Sequence, residues 1–200
     1  MKLKIQLNTI KKTGADIVSC QMLMKTTDGK QTTIPKLKKS EYLSLKNLPP
    51  GIGTQTLFMK REVAENLLFD SDMPRLQDME WLLRAARRYK IYCIKQYLVN
   101  YEVQSDSISA ALEKLYKAII LLRKKHPDIK ESAPIIAEEL SKSMIDHGMI
   151  MLKNDNPNYS KFLSLGYYLS NKKCSRIKYY IAKFHLFKLL YRALLLRRKR

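Results

Sequence analysis

Two acidic residues stand at the start of a predicted helix in the middle of the chain, in the run Pro74-Arg75-Leu76-Gln77-Asp78-Met79-Glu80-Trp81-Leu82-Leu83-Arg84. Apolar residues follow at three- and four-residue spacing, which predicts one buried helix face. The helix dipole favours negative charge in the first turn, and a carboxylate there can face the cleft that the preceding loop lines. Asp78 is therefore the first candidate for chemistry. The alternative is a residue that only stabilises the helix start.

Three further residues of the run each have two interpretations. Arg84 lies six residues after Asp78, on roughly the same side of the helix. An arginine there is suited to bind a phosphate or to hold the loop of the carboxylate, and a surface ion pair is the alternative. Trp81, the only tryptophan, is favoured as a core residue, although an aromatic ring can also stack on a ligand. Glu80 is expected to be solvated, and it replaces Asp78 if that residue is misassigned.

The elements that position these candidates change character near residue 108. Before it, strand and helix patterns alternate, which predicts an α/β portion, and after it only helical spacing remains. The predicted elements are a helix on Leu3, Leu7 and Ile10 ended by Gly14, strands at 15–20, 31–34 and 55–59, helices at 39–46 and 61–68, paired strands at 91–94 and 97–101, and helices at 111–125, 134–151, 159–169 and 176–196.

A loop rich in proline and glycine, residues 47–54, precedes the predicted strand at 55–59. Proline makes such a loop rigid, and glycine lets the backbone take conformations that other residues avoid. Gly53 and Thr54 at its end are candidates for a close approach of the backbone to a bound molecule. A plain turn explains them equally well.

The net charge of +20 is concentrated in the C-terminal tail. Residues 172–200 contain eleven Lys or Arg and no Asp or Glu, which leaves about +9 for the first 171 residues. A localised basic segment suggests an anionic surface, either a membrane or a nucleic acid.

The sequence carries no recognisable signal for metal binding, secretion or a membrane span. The three cysteines and three histidines show no zinc-ligand spacing, so we predict no metal ligands and expect reduced thiols in a cytoplasmic protein. The N-terminus lacks the apolar core of a signal peptide, and no apolar run approaches the eighteen residues of a membrane span.

Several stretches, in order, carry a resemblance to a known family. They are Ala15-Asp16-Ile17-Val18, the run from Gly53 to Arg61, Phe69-Asp70, the run from Gln77 to Arg84, and the stretch from Tyr101 to Ser109. Together, residues 1–109 resemble the second half of a family 2 glycosyltransferase catalytic domain, which has the GT-A fold. The resemblance implies a partial GT-A half-domain, followed by an all-helical tail at 110–200.

The resemblance also implies roles for the candidate residues. In the family, the carboxylate at the position of Asp78 is the general base that deprotonates the acceptor hydroxyl. The substrate-binding positions that match are Gly53, Thr54, Gln77, Glu80, Trp81 and Arg84. The substrates implied are a nucleotide-sugar donor and a glycan or lipid-linked acceptor, in polysaccharide or glycoconjugate synthesis. The complete family domain is expected to use a divalent cation, Mg²⁺ or Mn²⁺, on the leaving phosphates.

Two departures from the family pattern matter for activity. The nucleotide-binding half and its Asp-x-Asp motif do not precede Ala15, and Asp70-Ser71-Asp72 has that spelling at a different place. Gln104 stands where many relatives have histidine. We therefore expect a fragment, the product of a truncated gene, or a chain completed by another polypeptide. In each case we expect little or no transferase activity from this chain alone, and no cation ligands in it.

The tail at 175–200 mixes apolar residues with cations and ends in Arg197-Arg198-Lys199-Arg200. Such a segment can lie on an anionic membrane, which suits an enzyme at the cytoplasmic face with a lipid-linked acceptor; a helix packed on the protein is the alternative. Two other functions remain open: a basic nucleic-acid-binding protein, disfavoured because no nucleic-acid-binding motif is visible, and a non-catalytic membrane-associated scaffold.

Overall fold

The computed structural model of the protein describes residues 1–103 and 112–171. Contacts divide the chain into two units, Met1–Asp128 and Ile129–Arg200. The division lies later than the change of pattern near residue 108, so the helix after that change belongs to the first unit. Gln104, the basic segment 175–200 and the predicted helix at 176–196 lie outside the described residues.

The described part of the first unit has α/β architecture, as the strand and helix patterns predict. Its helices are α1 (Lys2–Thr13), α2 (Arg61–Asn66), α3 (Gln77–Ala85) and α4 (Leu112–Lys125), and its strands are β1 (Ile17–Lys25), β2 (Gln31–Ile34), β3 (Glu41–Leu43), β4 (Phe58–Met59) and β5 (Ile91–Glu102). The strands form one mixed sheet in the order β2-β1-β5-β3, and β4 also pairs with β1. β1 runs parallel to β5 and antiparallel to β2 and β4.

The first helix covers β1 with a face that differs in part from the one expected. Leu3 and Leu7 are 61% and 42% exposed, and Gln6 is fully buried. The Gln6 side chain donates a hydrogen bond of 2.8 Å to the Thr56 carbonyl. The prediction was therefore wrong for Leu3 and Leu7, whereas Ile10 packs on the core with Ile5. Gln6 is buried because its amide is the partner of a buried backbone carbonyl. The predicted end of the helix at Gly14 is confirmed by its left-handed φ of 69°.

Three predicted elements differ in the structure. The predicted helix at 39–46 is instead β3 followed by a short 3₁₀ turn, Leu45–Asn47. The strand at 55–59 is reduced to the two residues of β4, after a 3₁₀ turn at Thr54–Thr56. The two strands at 91–94 and 97–101 are one strand, β5, with register shifts against β1 between Cys20 and Met22. A bulge of this kind explains why the strand pattern is interrupted in the middle.

The described part of the second unit contains the helices α5 (Ile129–Ser132), α6 (Pro134–Lys153) and α7 (Tyr159–Leu169). α6 and α7 approach closely at two glycines. A Cβ on Gly148 would lie 2.8 Å from the Leu163 side chain, and one on Gly166 would lie 2.6 Å from Ile145. No helix within residues 1–103 and 112–171 is long and apolar enough to cross a membrane.

Candidate active site

The helix that carries Asp78 begins from a strained residue. Leu76, immediately before α3, has a left-handed φ of 62°, which costs a residue with a Cβ about 1–2 kcal/mol. The Leu76 carbonyl still accepts the first helical hydrogen bond, 2.9 Å from the Glu80 amide nitrogen. Strained backbone persists only where the surroundings hold it, and such residues concentrate at functional sites. The strained backbone at Leu76 therefore marks the start of α3 as a candidate functional site.

Asp78 lies half-buried in the first turn of α3. Its Oδ1 accepts a hydrogen bond of 2.8 Å from the Met79 amide. Burial raises the pKa of the Asp78 carboxyl, and bonds from backbone N–H groups oppose that rise in part. Among the described residues, no Lys, Arg or His pairs with this carboxylate. The Asp78 carboxylate thus has an increased proton affinity and forms no ion pair with any described residue.

Glu80, two residues after Asp78, is buried and bonded to a cationic side chain. It is 2% exposed, so the expectation that it is solvated was wrong. The Arg84 guanidinium donates to both of its oxygens at 2.7 Å, and His126 Nε2 lies 3.4 Å from Oε1. Arg84 also donates to the Leu68 carbonyl at 2.8 Å. Glu80 and Arg84 therefore hold the loop before α3, which is one of the two roles anticipated for Arg84.

Trp81 belongs to the core, as favoured from the sequence. Its side chain is 1% exposed, and its indole N–H donates to the Leu67 carbonyl at 2.7 Å. The Phe69 ring stacks on it at a centroid distance of 5.6 Å. A direct contact of Trp81 with a substrate would require Phe69 or another neighbour to move, so in this conformation its contribution is packing.

The remaining predicted site residues are Gln77, which directly precedes Asp78 at the start of α3, and Gly53 and Thr54, in the segment before β4. Gln77 is exposed, and its side-chain amide donates to the Met73 carbonyl at 2.9 Å. Thr54 is exposed, and Gly53 is buried with its carbonyl accepting from the Thr56 hydroxyl at 2.7 Å. Within the described residues, no hydrogen bond or ion pair joins Gly53 or Thr54 to Asp78. A Cβ on Gly53 would lie 2.6 Å from the terminal amide of Gln55, an exposed side chain that can move to make room.

Beside Glu80 lies a charged cleft of about 600 Å³ that the sequence did not reveal. Two ion pairs in it join groups from separate parts of the chain, Lys125 to Asp70 at 2.7 Å and Arg87 to Asp128 at 2.8 Å. The cleft is lined by Leu68, Asp70, Glu80, Arg84, Arg87, Lys125, His126 and Asp128. The sequence singled out three of these residues, Asp70, Glu80 and Arg84, but it did not show that the end of the helix at 111–125 lies beside them.

Comparisons with known proteins leave the family open. No protein-family model matches this sequence, and no curated protein matches it significantly. Among residues 1–103 and 112–171, no group of three or more His, Cys, Asp or Glu side chains could hold a metal ion.

Proposed function

We propose that the protein is a glycosyltransferase related to family 2, with Asp78 as the general base. The observation that carries this proposal is the contrast between two carboxylates in one helical turn. Glu80 is buried and held by Arg84 and His126, whereas Asp78 is half-buried without a cationic partner among the described residues. Of the two, Asp78 is the carboxylate available to accept a proton.

The chemistry assigned to Asp78 is a single proton transfer. One carboxylate oxygen takes the proton of an acceptor hydroxyl while the hydroxyl oxygen bonds to the anomeric carbon of the donor sugar. The nucleoside diphosphate leaves with the electron pair of the broken bond. A positioned base contributes a rate factor of about 10² to 10⁴, and burial increases the proton affinity of Asp78 in the direction a base requires.

The donor side of the reaction is assigned to no described residue. A divalent cation on the donor phosphates is expected for the family domain, but the described side chains do not fit a cation site. We therefore assign no ligand to it. The acceptor proposed is a glycan or a lipid-linked sugar, with an anionic membrane surface as a partner of residues 175–200 at the cytoplasmic face. These two partners rest on the resemblance and on the charge of the tail.

The experiment adds the purified chain to an extract with membranes from source cells in which its gene is deleted. Radiolabelled UDP-, GDP- and dTDP-sugars are supplied with Mn²⁺, and sugar incorporated into glycan and lipid fractions is measured. We expect the wild-type chain to restore transfer of one sugar and Asp78→Asn to reduce it at least about 10²-fold. Glu62→Gln, which removes an exposed carboxylate in the first turn of α2, is the matched control and should be unchanged.

Two results would contradict the proposal in different ways. Equal transfer by wild type and Asp78→Asn would remove Asp78 from the chemistry. No transfer from any donor, with or without the chain, would argue against a transferase.

Sedimentation with anionic liposomes, with and without residues 175–200, tests the membrane partner. Binding to single- or double-stranded nucleic acid that falls log-linearly with salt would favour the nucleic-acid-binding alternative.

A further inference from the structure

The end of α4 is bound to the segment around Asp78 at three points. Lys125 Nζ lies 2.7 Å from Asp70 Oδ2, and His126 Nε2 lies 3.4 Å from Glu80 Oε1. Asp128, just after the helix, accepts 2.8 Å hydrogen bonds from Arg87 Nη2 at both oxygens. We call Lys125, His126 and Asp128 the α4 clasp. Each member contacts a different position between residues 70 and 87.

The α4 clasp contacts both sides of Asp78 along the chain. Asp70 belongs to the loop that leads into α3, and Glu80 follows Asp78 by two residues in the same helical turn. Between these two anchors lies Leu76, whose left-handed conformation requires support from its surroundings. The contact of His126 with Glu80 is nearly closed to water, with the two side chains 7% and 2% exposed. It therefore ties α4 directly to the turn that carries Asp78.

The Glu80 carboxylate links α3 to the end of α4. Its Oε1 is shared between Arg84 Nε at 2.7 Å, within α3, and His126 Nε2 at 3.4 Å, from α4. Burial lowers the pKa of His126, and the neighbouring Glu80 carboxylate opposes that shift in part. The imidazole contacts this carboxylate as a hydrogen-bonding group. Lys125 adds a charged contact on the loop side, where it also lowers the pKa of Asp70.

We infer that Lys125 and His126 are positioning residues for Asp78, which they hold through Asp70 and Glu80 on either side of it. The inference rests on the proposed function, because positioning has a catalytic meaning only if Asp78 is the base. It also makes a claim that does not depend on activity. The half-buried position of Asp78 should persist only while both contacts are intact, and burial is the cause that raises the pKa of its carboxyl.

The experiment measures the pKa of Asp78 in the full-length protein by NMR titration of its carboxyl carbon, assigned by its loss in Asp78→Asn. Lys125→Met and His126→Phe remove the two contacts. We expect each to lower the pKa of Asp78 toward its ordinary value, because water then reaches the carboxylate. Lys125→Arg and His126→Gln keep a donor in place and should restore the higher value. Lys124→Met is the matched control, since Lys124 is exposed and pairs with no acid in the described chain.

The same variants are then assayed for sugar transfer as above. Displacement of a base by about 1 Å can cost about 10²-fold in rate, so kcat should fall by about 10- to 100-fold with KM unchanged. An unchanged pKa of Asp78 in folded Lys125→Met and His126→Phe would overturn the inference, whatever their activity. A lowered pKa in a protein without transferase activity would support the positioning and refute the proposed function. If His126→Phe does not fold, the pKa of Asp78 in Lys125→Met, compared with that in Lys125→Arg, tests the inference.

Discussion

Replacing Arg84 with methionine should destabilise the first unit strongly, although its charge lies near the surface. The Arg84 guanidinium occupies both oxygens of Glu80, a carboxylate that is 2% exposed, and also binds the Leu68 carbonyl. Methionine keeps much of the aliphatic volume but donates no hydrogen bond. Glu80 is then left buried with only His126, at 3.4 Å, as a side-chain partner.

The size of the loss follows from this geometry. Breaking a buried ion pair by removing one partner costs about 3–5 kcal/mol, because the remaining charge stays buried. The Arg84 side chain is 29% exposed and His126 remains in place, so water and imidazole replace part of the interaction. We therefore expect a loss of about 3 kcal/mol in the free energy of unfolding. In a domain of this size, that lowers Tm by roughly 10 °C.

Urea unfolding followed by circular dichroism measures the loss, with Arg88→Met as the control. Arg88 is an exposed arginine just beyond α3 and pairs with no acid in the described chain, so its variant should lose less than about 0.5 kcal/mol. The double variant Arg84→Met/Glu80→Leu should recover most of the stability, since no buried charge remains. Equal losses for Arg84→Met and Arg88→Met, or no recovery in the double variant, would refute this account of Glu80.

Three further predictions concern other parts of the molecule. Asp78→Asn should raise the free energy of unfolding more at pH 7 than at pH 4, as measured by urea titrations. The pKa of Asp78 is higher in the folded than in the unfolded state. The protonated carboxyl therefore favours folding at low pH, and this contribution is lost as the pH rises through the folded pKa. Gly166→Ala should cost about 1–2 kcal/mol, since its Cβ would lie 2.6 Å from Ile145 and overpacking outweighs the gain in helix propensity. Burial raises the pKa of Cys93 to about 11 and also raises that of Cys20, so iodoacetamide at pH 8 should label both, by peptide mass spectrometry, only after unfolding.

Glu62→Gln and Ser164→Ala are the matched controls for the first two variants. Glu62→Gln should show no pH-dependent gain, and a gain equal to that of Asp78→Asn would mean that burial of Asp78 is not the cause. Ser164→Ala changes an exposed position of α7 and should be nearly neutral, so equal loss in both α7 variants would contradict the close approach at Gly166. Rapid native labelling of Cys93 would show that its thiol is accessible.

Local signals were enough to predict much of the fold. Gly14 ends α1 in the left-handed conformation that glycine favours, at the position the sequence predicts. The helices α4, α6 and α7 follow their apolar spacing to within a few residues of the predicted bounds. In these cases the residues that decide the structure are neighbours in sequence.

The errors occur where a distant partner decides. Residues 41–43 have a helical pattern, yet they pair with residues 91–93 of β5 and form a strand. In α1, Gln6 is buried in place of Leu3 and Leu7, and its hydrogen-bond partner, the Thr56 carbonyl, is fifty positions away. At the site, the helix with its two carboxylates was predictable from the sequence. The difference between them, a bonded and buried Glu80 beside an Asp78 that pairs with no described cation, was not, because His126 contacts Glu80 from 46 positions away.

The pairing of β1 with β5 has a consequence for how the chain is made. Ser19 and its partner Cys93 are 74 positions apart, and β1 pairs in parallel with β5 along its whole length. During synthesis, β1 therefore leaves the ribosome long before its main partner exists. Until then, its sheet partners are β2 and the two residues of β4, and so small a sheet is marginal in water. The first unit should thus reach its native sheet late, and the time during which β1 is exposed is its main period of vulnerability to aggregation.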